Sequence, residues 1–461
     1  DALANLPVDG LEILSWSNGQ VIPEFQRALA LTQRPYDGDM VQIRTKMGRR
    51  LTVTADHPMI VRSADDEIAV KPASALTTDD WLPISLGSPL ADAFGPEHAS
   101  MIEAIAPAAL KWRDIILRLN DEQMIAARNV DHSLPSQRRW DYRRSRTLRL
   151  TEAALLRLPI SGALLGSTTN GTYVPASIDL TDDLWEVLGL FLAEGHIGTD
   201  GDRRRVCWSF HPTAEHHLVD FVATYWRNLG VKTTVRRLTT VMQVSISSRL
   251  LAGWFEHVLG LGTNCYTHRI PDMIWTASES AKQALLRGLW AGDGSWSLLN
   301  GGPSVALEYG TVSPELADGM LRLLGEFGVV ARQKIARTTN STVDTHWLVI
   351  SGADQIEDCL WLLEPHEREQ VRHQLNAQSK RIAPTGYQRD RKGTAWVRVV
   401  DVSKRHSNQN VYSVEVDRNH TVVVTGGLVA HNCFPKDSRA LLKIARDAGY
   451  HFDLLDGVIA I

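Results

Sequence analysis

Two short segments in the middle of the chain resemble each other, and this internal repeat limits the possible folds more than any other feature. They are Leu188-Gly-Leu-Phe-Leu-Ala-Glu-Gly and Leu286-Arg-Gly-Leu-Trp-Ala-Gly-Asp-Gly, about 100 residues apart. Each predicts an apolar helix that ends in a carboxylate and a glycine, followed by β-rich sequence and a second helix, at 216–229 and 314–327. The region 179–363 is therefore predicted to be a duplicated α/β unit.

Short β-strands and turns are predicted on both sides of this region. Before it, Gly48 and Ser17-Asn-Gly mark turns between strands. The predicted strands are Leu11–Leu14, Met40–Thr45, Arg50–Thr54, Val397–Val402, Val411–Val416 and Thr421–Thr425. The fold class is thus multidomain, with an all-β domain split by a long α/β insertion.

The predicted boundaries follow from these changes of pattern. Residues 1–90 and 395–432 are the two halves of the β domain. Residues 91–178 form an accessory region, with helical periodicity over Ile102–Leu119 and a basic stretch, Arg138–Arg146, that can contact DNA. Residues 364–394 are charged and polar and are predicted to be a linker that includes a helix, and 433–461 a separate C-terminal segment.

Bulk properties are those of a folded protein. With 461 residues, 44% hydrophobic and 22% charged, about two or three domains are expected. The net charge of −4 gives no global sign of nucleic-acid binding, so local basic patches must decide. No apolar run reaches the roughly 18 residues of a membrane span, and the four cysteines form no CxxC pair. We expect a soluble, cytoplasmic protein without a disulfide framework or a zinc site.

The segment Gly427-Leu-Val-Ala-His-Asn-Cys carries a specific chemistry. The Asn432 side-chain amide can attack its own backbone carbonyl and cut the chain after itself. His431 can donate a proton to the scissile bond, and Cys433 supplies a thiol nucleophile. Taken alone, this tripeptide is more often a simple turn.

Two further blocks give that tripeptide its context. Thr54-Ala-Asp-His57 resembles the TxxH motif of inteins, and Val411–His420 resembles the intein block that places a histidine ahead of the terminal Asn. Over 1–432 the chain therefore resembles an intein of the hedgehog/intein β-fold. The resemblance implies that Thr54 and His57 activate the upstream scissile peptide, and that His420 assists at the downstream one.

The first position departs from the family pattern. Inteins of the common type begin with Cys or Ser, whereas Asp1 stands at the apparent first position, and a carboxylate is a poor nucleophile for this step. We expect either that Cys433 attacks the upstream junction directly or that the first residue has been altered or omitted. A route through an internal cysteine fits less well, because Met59 and Ser413 stand where that subclass has Trp and Cys.

The repeated segments resemble the LAGLIDADG motifs of DOD-type homing endonucleases. The resemblance implies that small residues let two helices approach closely, so that Glu194 and Asp293 meet at the end of the seam and hold Mg²⁺. It also implies a monomer that cleaves double-stranded DNA. Either motif alone would more often be an ordinary amphipathic helix, and only the repetition favours the nuclease.

DNA contacts are expected from the strands that follow each motif, because arginine and lysine can reach phosphates and base edges. A solvated charged surface is as common an explanation for any single one of them. The candidates are Arg203, Arg204, Arg205, Arg236, Arg237, Arg332, Lys334 and Arg337.

The C-terminal segment has a resemblance of its own. Cys433-Phe-Pro-Lys-Asp and the residues that follow are similar to the catalytic-cysteine segment of UDP-glucose dehydrogenases and related nucleotide-sugar dehydrogenases. The exteins would then belong to such a host, and NAD would serve only the complete host enzyme.

The sequence also raises three alternative functions for the chain. The chain could be an insertion that splices but no longer cuts DNA, and metal-dependent cutting of the uninterrupted host allele distinguishes this case. A hedgehog-like domain that cleaves without ligating is kept open by Asp1. A dehydrogenase proper would need a Gly-x-Gly-x-x-Gly turn, which the sequence lacks.

Overall fold

The computed structural model describes residues 8–17, 20, 22–63, 65, 67–89, 95–168, 170–299, 304–337, 342–377, 385–390 and 394–431. The predictions for Asp1, Asn432, Cys433 and the segment after them fall outside the described residues. Within those ranges, no helix combines the length and hydrophobicity needed to cross a bilayer.

Six strands form in the first part of the chain, where the sequence predicts β structure. They are β1 (Glu12–Ser15), β2 (Glu24–Thr45), β3 (Arg50–Thr54), β4 (Pro58–Arg62), β5 (Ile68–Pro72) and β6 (Trp81–Ile84). The end of β2 alternates as its sequence requires, with Val41 and Ile43 buried and Gln42 exposed. Gly48 turns the chain from β2 into β3 with φ +83°, a conformation that favours glycine.

The accessory region combines short strands with three helices. These are β7 (His98–Ser100), β8 (Ile115–Arg118), α1 (Asp121–Val130), α2 (Ser136–Ser145), β9 (Thr147–Arg149), α3 (Leu150–Leu155), β10 (Leu164–Ser167), β11 (Asn170–Pro175) and β12 (Ser177–Asp179). Four of the strands form a sheet in the order β11-β10-β8-β9, and β7 pairs with β12.

The helix expected over Ile102–Leu119 is wrong. Two 3-10 turns, Ile102–Ala104 and Trp112–Asp114, stand there instead and lead into β8. Pro107 explains the difference, because proline has no N–H to donate and its ring clashes with the preceding turn of a helix.

The duplication predicted for the middle of the chain is confirmed. Its first copy is α4 (Asp182–Glu194), β13 (Gly195–Asp200), β14 (Arg203–Phe210), α5 (His216–Asn228), β15 (Thr234–Arg237), β16 (Met242–Ser247) and α6 (Arg249–Gly253). Its second copy is α7 (Glu279–Asp293), β17 (Gly294–Leu298), β18 (Val305–Thr311), α8 (Pro314–Glu326), β19 (Arg332–Ala336), β20 (Thr345–Ser351) and α9 (Ala353–Asp358). The sheets have matching orders, β13-β14-β16-β15 and β17-β18-β20-β19.

The segment 364–394, expected to be a helix and a linker, contributes to two packed regions. Helix α10 (Pro365–Ala377) buries Val371 and Leu375 in the core shared with the duplicated unit, because these residues lie on one helix face. Strand β21 (Tyr387–Arg389) then pairs with the next strand of the outer β domain.

Strands from the two ends of the chain share one sheet. The last three strands are β22 (Ala395–Val416), β23 (Thr421–Val423) and β24 (Val429–His431). Strand β22 is continuous where two strands were predicted, because it pairs with β2 along a ribbon that joins Ala28–Thr45 to Val399–Val416. The sheet order is β1-β2-β22-β6-β4-β5.

Two main hydrophobic cores hold the molecule together. One core is continuous through the accessory region and the duplicated unit, and it includes Tyr142, Trp185 and Trp208. The other lies beneath the sheet built from both chain ends. It also takes in Val330 from the duplicated unit, so the inserted region and the outer β domain pack directly against each other.

Candidate functional sites

The Thr54–His57 segment forms the turn between β3 and β4. The His57 N–H donates to the Thr54 carbonyl at 3.0 Å, and the Ala55 N–H donates to the Asp39 carbonyl at 3.2 Å. On the other side, the Ala73 N–H donates to the His57 carbonyl at 2.8 Å. Thr54 is buried and His57 is half-buried. The backbone on both sides thus fixes this turn.

A short hairpin in the second half of the β domain carries His420 and His431, the other two histidines with a predicted role in splicing. Strands β23 and β24 pair so that Thr421 stands opposite His431. His420 immediately precedes Thr421, is exposed, and adopts φ +51°. His431 ends β24 and is half-buried. The register therefore places His420 and His431 at the same open end of the hairpin.

The two halves of the β domain meet at this hairpin. Strand β24 packs against β4, the strand that follows the Thr54–His57 turn. Val429 of β24 and Ile60 of β4 share a small buried cluster with Trp16 and Trp396. The segment that leads to position 432 therefore lies beside the strand that leaves the TxxH turn.

Thr421 joins the end of β1 to the same hairpin. Its side-chain oxygen accepts a hydrogen bond from the Trp16 N–H at 2.9 Å, lies 2.9 Å from the Ser15 hydroxyl, and donates to the Trp16 carbonyl. Sequence reasoning missed Thr421, because a threonine that begins a Val-rich run looks like an ordinary strand residue. Only the folded chain gives its hydroxyl these partners.

Helices α4 and α7 approach so closely that glycine is required on both. A Cβ atom on Gly189 would lie 2.2 Å from the Leu285 carbonyl oxygen, and one on Gly288 would lie 2.1 Å from the Glu186 carbonyl oxygen. No side chain fits in that space. The predicted role of glycine in bringing the two helices together is confirmed.

The two motif carboxylates lie at the ends of these helices. A Cβ on Gly292 would stand 3.1 Å from the Glu194 Cγ, so the end of α7 lies against Glu194. Burial raises the pKa of Glu194 to about 8, with repulsion from Asp293 and then Glu215 adding to the effect. Burial, followed by repulsion from Glu215, raises the pKa of Asp293 to about 7. These groups form a crowded acidic site.

Whether a cation could bind to these carboxylates can be judged from the groups around them, one of which is a buried hydroxyl. Burial raises the pKa of Tyr309, and so do the charges of Asp293 and Glu194. Across the described chain the Tyr309 hydroxyl has no hydrogen-bond partner. The described residues contain no group of three or more His, Cys, Asp or Glu placed to hold a metal ion. Two carboxylates fit part of an oxygen shell for Mg²⁺, which commonly takes its other ligands from water and phosphate.

Strand alternation divides the candidate DNA-contacting residues of the first sheet. Val206, Trp208 and Phe210 face the core, and Arg204 shares their face of β14 and pairs with Glu256. Three arginines lie on the other, polar face, beside Ser209, Gln243, Ser245 and Ser247. They are Arg203, Arg205 and Arg236.

Arg237 lies on the core-side face, opposite Met242.

The second sheet repeats this arrangement. Leu307 and Tyr309 face the core, whereas Arg332 and Lys334 are exposed on the other face. Arg337 lies just past the end of β19 and pairs with Asp344 at 3.2 Å. The two outer sheet faces therefore carry five of the eight predicted cations.

The basic stretch Arg138–Arg146 is largely used inside the accessory region. Arg138 pairs with Glu152 at 2.6 Å, and Arg143 pairs with Asp131 at 2.7 Å. Arg144 lies over the exposed ring of Trp140 at 5.1 Å. Most of these arginines therefore make contacts within the accessory region that stabilise the position of α2.

Comparison with known proteins gives one family. The model of the family described as "Intein splicing domain" matches residues 11–432. An uncharacterized protein of Methanocaldococcus jannaschii is 28% identical over 455 residues, which cover 94% of this chain and 49% of that protein. The DNA-directed RNA polymerase subunit Rpo1C of the same organism is 22% identical over 330 residues, covering 71% and 31%. The chain spans about half the length, or less, of these relatives.

Some solved structures are also similar, at a low level. Mesophilic variants of the homing endonuclease I-DmoI give a TM-score of 0.31 at 19% identity, covering 40% of this chain and 96% of that one. The LAGLIDADG homing endonuclease I-GzeII, solved in complex with its DNA target, gives 0.27 at 11% identity, covering 42% and 88%. The chemistry of this chain has to be judged from its own side chains.

Proposed function

The chain belongs to the intein splicing domain family, and we propose on that premise that it excises itself from a host protein through Asn432 and Cys433. The observation that carries the proposal is the packing of β24, which leads to the terminal Asn, against β4, which follows the TxxH turn. The splicing domain would comprise 1–90 and 395–432.

At the downstream junction, the Asn432 side-chain nitrogen would attack the Asn432 backbone carbonyl carbon. A succinimide forms, the peptide bond to Cys433 breaks, and the Cys433 nitrogen leaves as an amine. His431 would donate the proton that the leaving nitrogen needs, and His420 would assist from the same end of the hairpin. The pairing of Thr421 with His431 supports this arrangement.

At the upstream junction, Thr54 and His57 would polarise the peptide bond that precedes Asp1. Because a carboxylate is a poor acyl acceptor, the Cys433 thiolate would attack that carbonyl directly. A thioester forms on Cys433, and the Asp1 nitrogen leaves with a proton. After Asn432 has cyclised, the freed Cys433 amine takes the acyl group from its own sulfur. The Thr421–Trp16 hydrogen bonds support this route, because they hold the segment at the end of β1 beside the hairpin.

A second activity, cleavage of double-stranded DNA, is proposed for the region 179–363. Glu194 and Asp293 would hold Mg²⁺ at the end of the helix seam. When bound, that cation polarises a phosphodiester and activates water. Arg203, Arg205, Arg236, Arg332 and Lys334 would contact DNA from the two outer sheet faces. The raised pKa values of both carboxylates support a site that a divalent cation would relieve.

The host would be a nucleotide-sugar dehydrogenase, a proposal supported by Cys433-Phe-Pro-Lys-Asp. Cys433 would then serve first in splicing and later as the nucleophile of the mature host. NAD would be bound by the rest of that enzyme.

Substitution of Asn432 tests the splicing proposal. Asn432→Ala removes the attacking amide, so release of 433–461 from the full chain is expected to stop. Mass spectrometry of the incubated protein measures that release. Asn419→Ala is the control, since Asn419 lies in the turn before His420 and bonds Glu24 at 3.0 Å. Release from the Asn432→Ala chain at the wild-type rate would refute cyclisation.

A further inference from the structure

Arg49 lies where three parts of the molecule meet. Its side chain is 3% exposed. Its Nε donates to the Gly426 carbonyl at 3.0 Å, and its Nη1 donates to the carbonyls of Ala331 at 2.5 Å and Met47 at 3.3 Å. One guanidinium thus joins the turn of the β23–β24 hairpin, the residue before β19 and the turn before β3.

The surroundings of Arg49 leave little space for movement. Gly426 has φ +68°, and a Cβ there would lie 2.9 Å from the Arg49 Cγ. A Cβ on Gly48 would lie 1.8 Å from the Gln333 carbonyl oxygen. The Gln333 N–H donates to the Met47 carbonyl at 2.9 Å. Edge strand β19 of the inserted region is therefore fitted closely to the turn that carries Arg49.

The hairpin held by Arg49 depends on outside support. Strands β23 and β24 have three residues each, and so small a hairpin is not stable alone in water. Its turn is fixed at Gly426 by Arg49 and at Gly427 by Ser85, whose N–H donates to the Gly427 carbonyl at 2.8 Å. Its open end carries His431. A displacement of the turn would therefore also move the three-residue strand β24 and the His431 imidazole at its end.

The charge at this place is also compensated. Burial lowers the pKa of Arg49 to about 10, and the carboxylate of Asp318 on α8 opposes that shift. The guanidinium thus remains a cation at neutral pH. A cation that donates to three backbone carbonyls forms stronger hydrogen bonds than a neutral donor would.

We propose that Arg49 is a positioning residue for the cyclisation of Asn432. By binding Gly426 together with Ala331, it fixes the β23–β24 hairpin and couples the inserted region to the downstream splicing step. This inference rests on the proposed splicing function.

The test compares three variants of the full chain. Arg49→Met keeps the stem and removes every donor, and Arg49→Lys keeps a cation with poorer reach. Arg389→Lys is the matched control: Arg389 also donates from the outer β domain to a carbonyl of the inserted region, that of Gly328, and it does not contact the hairpin. Release of 433–461 is followed by mass spectrometry, and protection of 424–431 by hydrogen exchange.

A misplaced reacting group slows a reaction by about 10- to 100-fold, so Arg49→Met is expected to lose release to that extent. Arg49→Lys should lose less, and Arg389→Lys should stay within about two-fold of wild type. Exchange at the Gly427 amide should rise in Arg49→Met while α4 and α7 keep their protection. If Arg49→Met fails to fold, Arg49→Lys provides the test. The inference then requires slower release of 433–461 from Arg49→Lys, with unchanged hydrogen-exchange protection of α4 and α7.

Unchanged release in both Arg49 variants would overturn the inference. So would equal slowing in Arg389→Lys, because general loosening of the domain contact would then explain the effect. Absence of release from the wild-type chain would be a different result. It would refute the proposed splicing function itself, and this inference with it.

Discussion

Glu194 is buried where its ionised form is unfavourable, so the stability of the folded chain depends on pH. Its pKa in the folded chain is about 8, above the value of 4.5 for a free side chain. Between those values the native state binds a proton that the unfolded state does not, so this group's contribution to stability falls as pH rises from about 5 to about 8. Glu194→Gln cannot ionise and escapes that loss.

The melting temperature of Glu194→Gln should therefore rise relative to wild type across that pH range in metal-free buffer. Near pH 5 the two proteins should differ little. Thermal unfolding followed by circular dichroism measures this. Glu279→Gln provides the control, since Glu279 is exposed at the start of α7, at the opposite end of that helix from Asp293. Parallel pH curves for wild type and Glu194→Gln would contradict the assignment.

At this scale the sequence identifies residues whose chemistry is visible in their type and spacing. Thr54, His57, Glu194 and Asp293 could be proposed from the sequence because their motifs are local. Arg49, Thr421 and Glu215 are missed, because what matters in each is a tertiary contact. Among three consecutive arginines, 203–205, only the strand register shows which side chain turns inward to Glu256.

The seam between α4 and α7 leaves no space for a side chain at position 288. Gly288→Ala places a methyl group 2.1 Å from the Glu186 carbonyl oxygen, so α4 and α7 must separate. Overpacking of this kind costs about 1–3 kcal/mol or more, which should appear as a lower denaturation midpoint. Gly325→Ala on α8 is the control, because its nearest neighbours would be 3.8 Å away and alanine favours a helix. Equal midpoints for wild type and Gly288→Ala would contradict the close packing.

Elements with strong periodicity could be predicted from the sequence. The helices expected at 216–229 and 314–327 correspond to α5 and α8, and the strand expected at Arg50–Thr54 is β3. The failures have physical causes. Pro107 breaks an apparent helix, and pairing with β2 makes β22 one strand through residues 403–410, which have little hydrophobic signal of their own. Helix α10 agrees with the helix expected in the linker segment, but its packing could not be predicted because only Val371 and Leu375 are buried on it.

For the whole molecule, the two proposed activities should be separable. Asp293→Asn removes one of the two carboxylates and should abolish Mg²⁺-dependent cutting of DNA that carries the uninterrupted host reading frame. Release of 433–461 should continue, because Asp293 lies outside the splicing sheet. Gel electrophoresis and mass spectrometry on the same preparation measure both. Asp344→Asn is the control, since Asp344 pairs with Arg337 at the edge of the sheet. Cutting retained in Asp293→Asn would remove the carboxylate pair from the mechanism.

Part of the hydrophobic core of the outer β domain is supplied by the inserted region. Val330 fills its core, and Ala331 accepts a hydrogen bond from the buried Arg49. A descendant that deleted the inserted unit would therefore expose a hole and a half-satisfied cation. Such a deletion would have to be accompanied by new residues at the place from which the unit was removed. The inserted unit could thus not be lost without a compensating change in the outer β domain.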